Sequence, residues 1–336
     1  MRIALDAMGG DQAPNEIVAG ALQALEDLGD EELILIGDEP QILGLLGKPD
    51  VWEKNISIVH APEVIEMHDH PVKSLRRKQK SSIAIMAKMA ADDEADVAIS
   101  AGNTGACVAG CQMQMRLLPG VNRPGILVVI PTINGPIAIC DVGANVSSKP
   151  INLHQYALMG SLYMKEIFNI DDPTIGLISV GQEDNKGNEL IKKVNKMIRE
   201  DEHLNFAGNV EAREFLNRPC DVIVCDGFVG NVILKFAEGL AEGLFRIISQ
   251  ELTKLKPELT QQFKPIMDNV YKQHDHIEYG GAPLLGVDGT CIICHGASDA
   301  RAIKNAVLRS RELVNTRINE KITEWLASVP VSEVES

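Results

Sequence analysis

The sequence predicts an α/β protein built on a largely parallel sheet covered by helices on both faces. Two observations predict it. Short runs rich in Val and Ile alternate along the chain with segments of helical period. The residues that follow those runs are repeatedly Gly, Asn and Asp, which suit strand-to-helix loops. With 336 residues and 45% hydrophobic content, the chain can also bury a sizeable core.

Arg2–Asp6 reads as the first strand. The later runs are Leu33–Ile36, Ile56–Val59, Val97–Ile99, Ile126–Ile130, Ile137–Cys140, Ile175–Val180, Val222–Cys225 and Cys291–Cys294. Ligands of such sheets bind beyond the carboxyl ends of the strands. Six of those ends carry similar loops: Asp6–Asp11, Ser100–Gly105, Asp141–Asn145, Gly181–Asn188, Asp226–Asn231 and His295–Asp299. Glycine lets backbone N–H groups approach a ligand, and helices that start at these loops point positive dipole ends outward. Together they predict one shared polar site suited to an anion. The alternative for any single loop is that its Gly, Asn and Asp serve only as turn and cap residues.

Apolar residues at helical spacing over Phe236–Leu255, then Leu259 to about Tyr271, predict a projecting helical hairpin at about 232–273. Its apolar faces call for core packing, a dimer partner or a membrane surface. Residues 1–330 read as one domain, followed by an acidic tail at 331–336.

A net charge of -15 argues against nucleic acid as a partner and requires any acidic partner to meet a local basic patch. Lys73, Arg76, Arg77, Lys78 and Lys80 form the densest such patch. No export signal opens the chain and no apolar run reaches the roughly 18 residues of a membrane span, so a cytoplasmic protein is expected. Cys291-Ile292-Ile293-Cys294-His295 matches the spacing of haem attachment and of half a zinc site. With no second Cys-x-x-Cys, and with Cys and Ile spaced as in a buried strand, it reads as structural or as the edge of an active site, and no metal is expected. Neither G-x-G-x-x-G after a strand, nor a Walker loop, nor a G-x-S-x-G elbow is present, so no nucleotide cofactor and no hydrolase serine are indicated.

Read in order, Met1–Asp11, Ser100–Gly105, Asp141–Asn145, the Gly181–Glu189 segment with Asn185-Lys186-Gly187-Asn188, Asp226–Asn231 and His295–Asp299 resemble the acyl-ACP:phosphate acyltransferases of the PlsX type. The resemblance runs from residue 1 to about 325. It implies a three-layer α/β/α sandwich related to the isocitrate-dehydrogenase-like and phosphotransacetylase fold. It further implies a homodimer, acyl carrier protein and inorganic phosphate as partners, no cofactor, and peripheral contact with the inner face of the membrane, with hand-off of the product to a membrane glycerol-3-phosphate acyltransferase. Two departures stand out: Ala297 occupies a position where the family commonly has Ser, and the Cys-x-x-Cys strand is peculiar to this chain.

The implied chemistry is attack of a phosphate oxygen on a thioester carbonyl, with expulsion of a thiolate. It demands positioning and charge stabilisation more than acid–base help. Lys186 is the expected cationic contact to phosphate, and Asn103, Asn145 and Asn231 are candidate amides for the oxyanion, beside backbone N–H groups. His295 could protonate the leaving thiolate or be a satisfied strand-end histidine. Gly9, Gly10, Ser100, Gly102, Thr104, Asn185, Asn188, Gly227, Gly230, Gly296 and Ser298 complete the expected binding loops. Asp6, Asp11, Asp141 and Asp226 either orient Lys and Asn side chains or act as caps. The basic patch is the candidate docking surface for the acidic carrier protein. Rival readings are an acyl-CoA-dependent phosphotransacetylase, a non-catalytic sensor of lipid synthesis, and a metal-dependent dehydrogenase on a related fold.

Overall fold

A computed structural model describes residues 1–255, 261–266 and 279–328. The strands are β1 (Arg2–Asp6), β2 (Glu32–Gly37), β3 (Ile56–His60), β4 (Val97–Ser100), β5 (Gly125–Ile130), β6 (Ile137–Cys140), β7 (Thr174–Ile178), β8 (Asn205–Val210), β9 (Val222–Val224), β10 (Ala282–Leu285) and β11 (Cys291–Ile293). The helices are α1 (Asn15–Ala24), α2 (Glu39–Leu46), α3 (Pro49–Trp52), α4 (Pro71–Arg77), α5 (Ser82–Ala91), α6 (Thr104–Gln114), α7 (Pro150–Phe168), α8 (Glu189–Glu200), α9 (Gly227–Leu255), α10 (261–266), α11 (Ala300–Thr316) and α12 (Ile318–Ser328).

All described strands join one 11-stranded sheet in the order β3-β2-β1-β4-β11-β10-β5-β6-β9-β7-β8. Alternation along each strand divides the apolar side chains between two layers. Ile3, Leu5, Leu33 and Leu35 face α1, α7, α8, α11 and α12, whereas Ala4, Ile34 and Ile36 face the layer containing α5, α6 and α9. Local chemistry starts the helices where the sequence turns polar. The Asn188 side chain accepts from Ile191 N at 3.0 Å to cap α8, and Asp299 accepts from Ala302 N at 2.9 Å to cap α11.

The sheet is largely parallel, with one reversal at its centre. β10 runs antiparallel to both β11 and β5, and β5 runs antiparallel to β6. Hence β6, β9 and β7 point opposite to β1, β4 and β11. The six loops therefore fall into two sets of three that follow strands of opposite direction, and the ends of β11 and β6 come nearly level across β10 and β5.

Two strands escape the sequence pattern. β10 contains Pro283, which argues against a strand in the middle of a sheet. β8 carries Gly208 at φ +106°, where the register with β7 slips, and sits at the sheet edge with alternately exposed residues. β7 ends before Val180, which is 82% exposed in the loop. α9 begins earlier than the expected hairpin because Asp226 Oδ1 caps it, accepting from Val229 N at 3.0 Å. The hairpin's turn (256–260), its far side (267–278) and the acidic tail (331–336) lie outside the described residues.

Candidate active site

The loops after β1, β4 and β11 form one set. Asp6 is wholly buried and accepts from the Ser100 hydroxyl at 2.7 Å and from Met8 N at 3.1 Å. Burial pushes its carboxyl above the usual range, and the hydrogen bonds from Ser82, Ser100 and Met8 oppose this. Ser100 Oγ in turn accepts from Gly102 N at 3.0 Å, and Asp11 N donates to the Gly296 carbonyl at 2.7 Å. Gly9 packs against Asp6 and Gly102, where a Cβ has no room, and Gly10, at φ +121°, turns the chain beside Gly296. Asn103 is committed elsewhere than to an oxyanion. Its Oδ1 caps α6 through Ala106 N (2.9 Å), and its Nδ2 donates to the carbonyls of Glu66, Met67 and Asp69, each at 3.1 Å. The amide thereby holds the loop that precedes α4.

The loops after β6 and β9 form the heart of the second set, organised by the buried Asp141. Its Oδ1 accepts from Ile126 N (3.0 Å), Gly143 N (3.1 Å) and Ala144 N (2.9 Å), and its Oδ2 accepts from Asn145 N (2.8 Å). Burial pushes this carboxyl up, against those four backbone donors. Asn145 is also spent on the scaffold: Nδ2 donates to the Pro124 carbonyl (2.6 Å), the Tyr156 hydroxyl (2.8 Å) and Asp141 Oδ2 (3.3 Å). Gly227 and Gly230 let the start of α9 lie against Asp141 and Asn145; a Cβ on Gly230 would fall on the Asp141 carbonyl oxygen. After β7, Asn185 and Lys186 are exposed and Asn188 caps α8, two strands beyond β6.

Between the two sets lies a cavity of about 250 Å³. Thr104, His295, Gly296 and Ser298 line it from the first set, and Val142 and Asn231 from the second. Ile126, Val128, Ala282 and Ile293 supply apolar wall from β5, β10 and β11. Lys235 and Glu238 enter from α9. Lys235 Nζ lies 2.5 Å from His295 Nε2 and 2.8 Å from Glu238 Oε2, and Ala297 N donates to His295 Nδ1 at 3.2 Å. The cavity thus joins a cation, an imidazole, an amide and a hydroxyl to an apolar wall, which suits a ligand with one charged and one greasy part.

The chain matches the family model described as "Fatty acid synthesis protein" over residues 1–321. It is 45% identical over 332 residues to the phosphate acyltransferase of Dictyoglomus turgidum, covering 98% of both chains. The chain belongs to the phosphate acyltransferase family. It is likewise 46% identical over 333 residues to the phosphate acyltransferase of Pelotomaculum thermopropionicum, covering 98% of this chain and 96% of that one. A solved phosphotransacetylase from Streptococcus pyogenes shares the fold, with a TM-score of 0.64 at 15% identity over 94% of each chain.

Within this phosphate acyltransferase-family frame, five of the residues expected from sequence meet at the cavity: Thr104, Asn231, His295, Gly296 and Ser298. Asp6, Ser100, Asp141 and Asp226 build and cap the loops behind it. Lys186 is not among its lining residues, and Lys235 supplies the cation there instead. A signal for Lys235 was present, since it stands four residues after Asn231 on the same face of a helix. In the basic patch, Lys73, Arg76, Arg77 and Lys80 are exposed. Lys78 is not: its Nζ donates to Asp69 Oδ2 (2.6 Å) and to the Val64 carbonyl (2.7 Å). That hydrogen bond and the Glu66 N–H hold the Asp69 carboxyl below the usual carboxylate range.

Proposed function

We propose that this chain transfers a fatty acyl group from acyl carrier protein to inorganic phosphate, releasing the carrier thiol and an acyl phosphate for phospholipid synthesis. The observation that carries the reading is the cavity itself, with Lys235, His295 and Asn231 beside the apolar wall of Ile126, Val128 and Ile293. A phosphate oxygen attacks the thioester carbonyl, the carbonyl oxygen becomes an oxyanion, and the thiolate leaves as the intermediate collapses. Lys235 and the Asn231 amide stabilise the added negative charge. The proton that the attacking hydrogen phosphate loses passes through His295, in contact with Lys235, to the departing sulfur. Lys186, exposed at the end of β7, is a second cation for incoming phosphate. No cofactor takes part in this scheme.

The experiment is acyl-phosphate formation by purified protein supplied with palmitoyl-ACP or palmitoyl-CoA and inorganic phosphate, read as phosphate-dependent release of free thiol. Turnover with the ACP thioester supports the reading. Turnover with the CoA thioester alone selects a phosphotransacetylase, and none with either sinks both.

Lys73, Arg76, Arg77 and Lys80 support docking of the acidic carrier, because α4, which carries the first three and ends just before Lys80, follows the loop whose Met67 lines the cavity. Opposite charges at such a patch steer encounter in a chain of net charge -15. Charge reversal at Arg76 and Arg77 is expected to raise the KM for acyl-ACP roughly tenfold and flatten its salt dependence. An unchanged KM would remove the patch from this role.

Phe236, Leu240, Leu244, Ile247 and Ile248 run along the exposed side of α9, with Phe236 68% exposed. Among the described residues no helix is long and apolar enough to cross a membrane. This face supports peripheral membrane contact, with a homodimer and hand-off of the acyl phosphate to a membrane acyltransferase as the accompanying reading. Co-sedimentation with anionic vesicles is expected and should fall severalfold in Phe236→Ser. The continuous sheet supports reading 1–330 as one domain.

A further inference from the structure

Three thiols that take no part in the proposed reaction converge behind the cavity wall. Cys107 and Cys111 stand four residues apart on α6, so both sulfurs leave the same face of the helix. Cys291 lies opposite them on β11. Its Sγ is 3.4 Å from Cys111 Sγ and 3.8 Å from Cys107 Sγ, and all three sulfurs lie within 4.8 Å of one another. All three are buried, and Cys107 and Cys111 have no exposed surface. No other group of three His, Cys, Asp or Glu ligand atoms converges in this way among the described residues.

The Cys-x-x-Cys strand does not chelate as a pair. Cys291 faces the α6 layer, whereas Cys294 faces the opposite apolar layer. Alternation along the strand separates them, and the ligand set that forms instead is assembled across the fold.

The spacing has a chemical reading. Metal–thiolate bonds of about 2.3 Å place the sulfurs around one shared ion about 3.8–4.0 Å apart, which the 3.8 Å edge matches and the 3.4 Å edge reaches by a small outward shift. An all-sulfur donor set selects soft ions over hard ones. Zinc in closed structural sites takes four ligands, and no His, Asp or Glu joins the three sulfurs among the described residues. We propose that Cys107, Cys111 and Cys291 form a binding site for one soft, thiophilic metal ion held by three sulfurs, with cuprous copper the ion that best fits this set.

Binding exchanges S–H protons for S–Cu bonds: each coordinated thiol releases its proton to solvent, the ion stays cuprous, and no electron is transferred. Because each bound thiol must lose its proton, affinity should rise with pH. An ion here would tie α6, which starts at Thr104, to β11, which runs into His295. It would couple two walls of the cavity without touching the reactants.

The test uses the full chain, reduced and metal-free under argon, titrated with Cu(I) in competition with bicinchoninate. One equivalent is expected to be held against the chelator, with an X-ray absorption spectrum showing a three-coordinate shell of sulfur alone. Cys111→Ser and Cys291→Ser should each lose that equivalent, while Cys294→Ala, on the other face of the strand, should keep it. The spectrum of the unaltered chain is informative even where a serine variant does not fold. A shell containing nitrogen or oxygen, retention of the equivalent in both serine variants, or no copper held against the chelator would overturn the assignment.

Discussion

Replacing Lys235 by methionine is expected to lower kcat for phosphate-dependent release of the ACP thiol by about 10²–10³-fold while leaving the fold intact. The side chain is 45% exposed and on a helix surface, so its removal leaves no cavity in the core. Its ammonium is the cation among the residues lining the cavity, and it contacts both His295 and Glu238. Phosphate enters as an anion into a chain of net charge -15, and attack adds negative charge at the carbonyl oxygen. Losing a positioned donor at developing charge costs catalysis more than ground-state binding. Methionine keeps the stem to Cε and removes the ammonium, its charge and its N–H donors together, and Lys235→Arg should recover part of the rate. Steady-state kinetics with acyl-ACP and phosphate varied separately provides the check. Turnover within about threefold of the parent would exclude Lys235 from charge stabilisation. Lys186→Ala in the same assay should act mainly on the KM for phosphate, because Lys186 stands outside the cavity wall.

Asp141→Ala is expected to be the most damaging single change to the scaffold, at a cost of more than ~4 kcal/mol in urea unfolding. The carboxylate gathers the N–H groups of Ile126, Gly143, Ala144 and Asn145, and Asn145 adds its side-chain amide. Alanine removes the acceptor for all of them in a buried place where little water can substitute. The same loop seats Gly227 and Gly230, so the start of α9, and with it Asn231 and Lys235, should lose its placement. The pH dependence has a definite sign. Burial raises the folded-state pKa of Asp141 above its unfolded value near 3.8. The folded chain then holds this proton more tightly than the unfolded one, so the stabilisation is complete below the unfolded pKa. It declines as pH rises through the raised folded value. The stability gap between parent and variant should narrow as pH rises from the unfolded value through the raised folded one. A gap that widens over that range would mean that the hydrogen-bond donors outweigh burial.

Much of the architecture was legible because strands and helices differ in period. The runs at Leu33–Ile36, Val97–Ile99 and Val222–Cys225 became strands close to their expected bounds, since buried parallel strands are continuous apolar stretches. β10 and β8 were not legible, because Pro283 and Gly208 are local signals against strands that pairing with neighbours overrides. At the site, sequence order drew attention to the loops, and five of their residues line the cavity. It could not distinguish amides that face the cavity from amides that hold the loops. Asn103 and Asn145 have the same local setting as Asn231, yet three carbonyls take up the first amide, and Pro124, Tyr156 and Asp141 take up the second.

The sequence by itself determined the α/β class, the family and the polar strand-end loops, because periodicity and turn chemistry are written within a few residues of one another. Only the tertiary structure decided the polarity reversal at β10, the division of the loops into two sets, the entry of Lys235 beside His295, and the meeting of Cys291 with Cys107 and Cys111. Each of these joins residues 60 to 184 or more positions apart or depends on which strand lies beside which, and local preference carries no information about that.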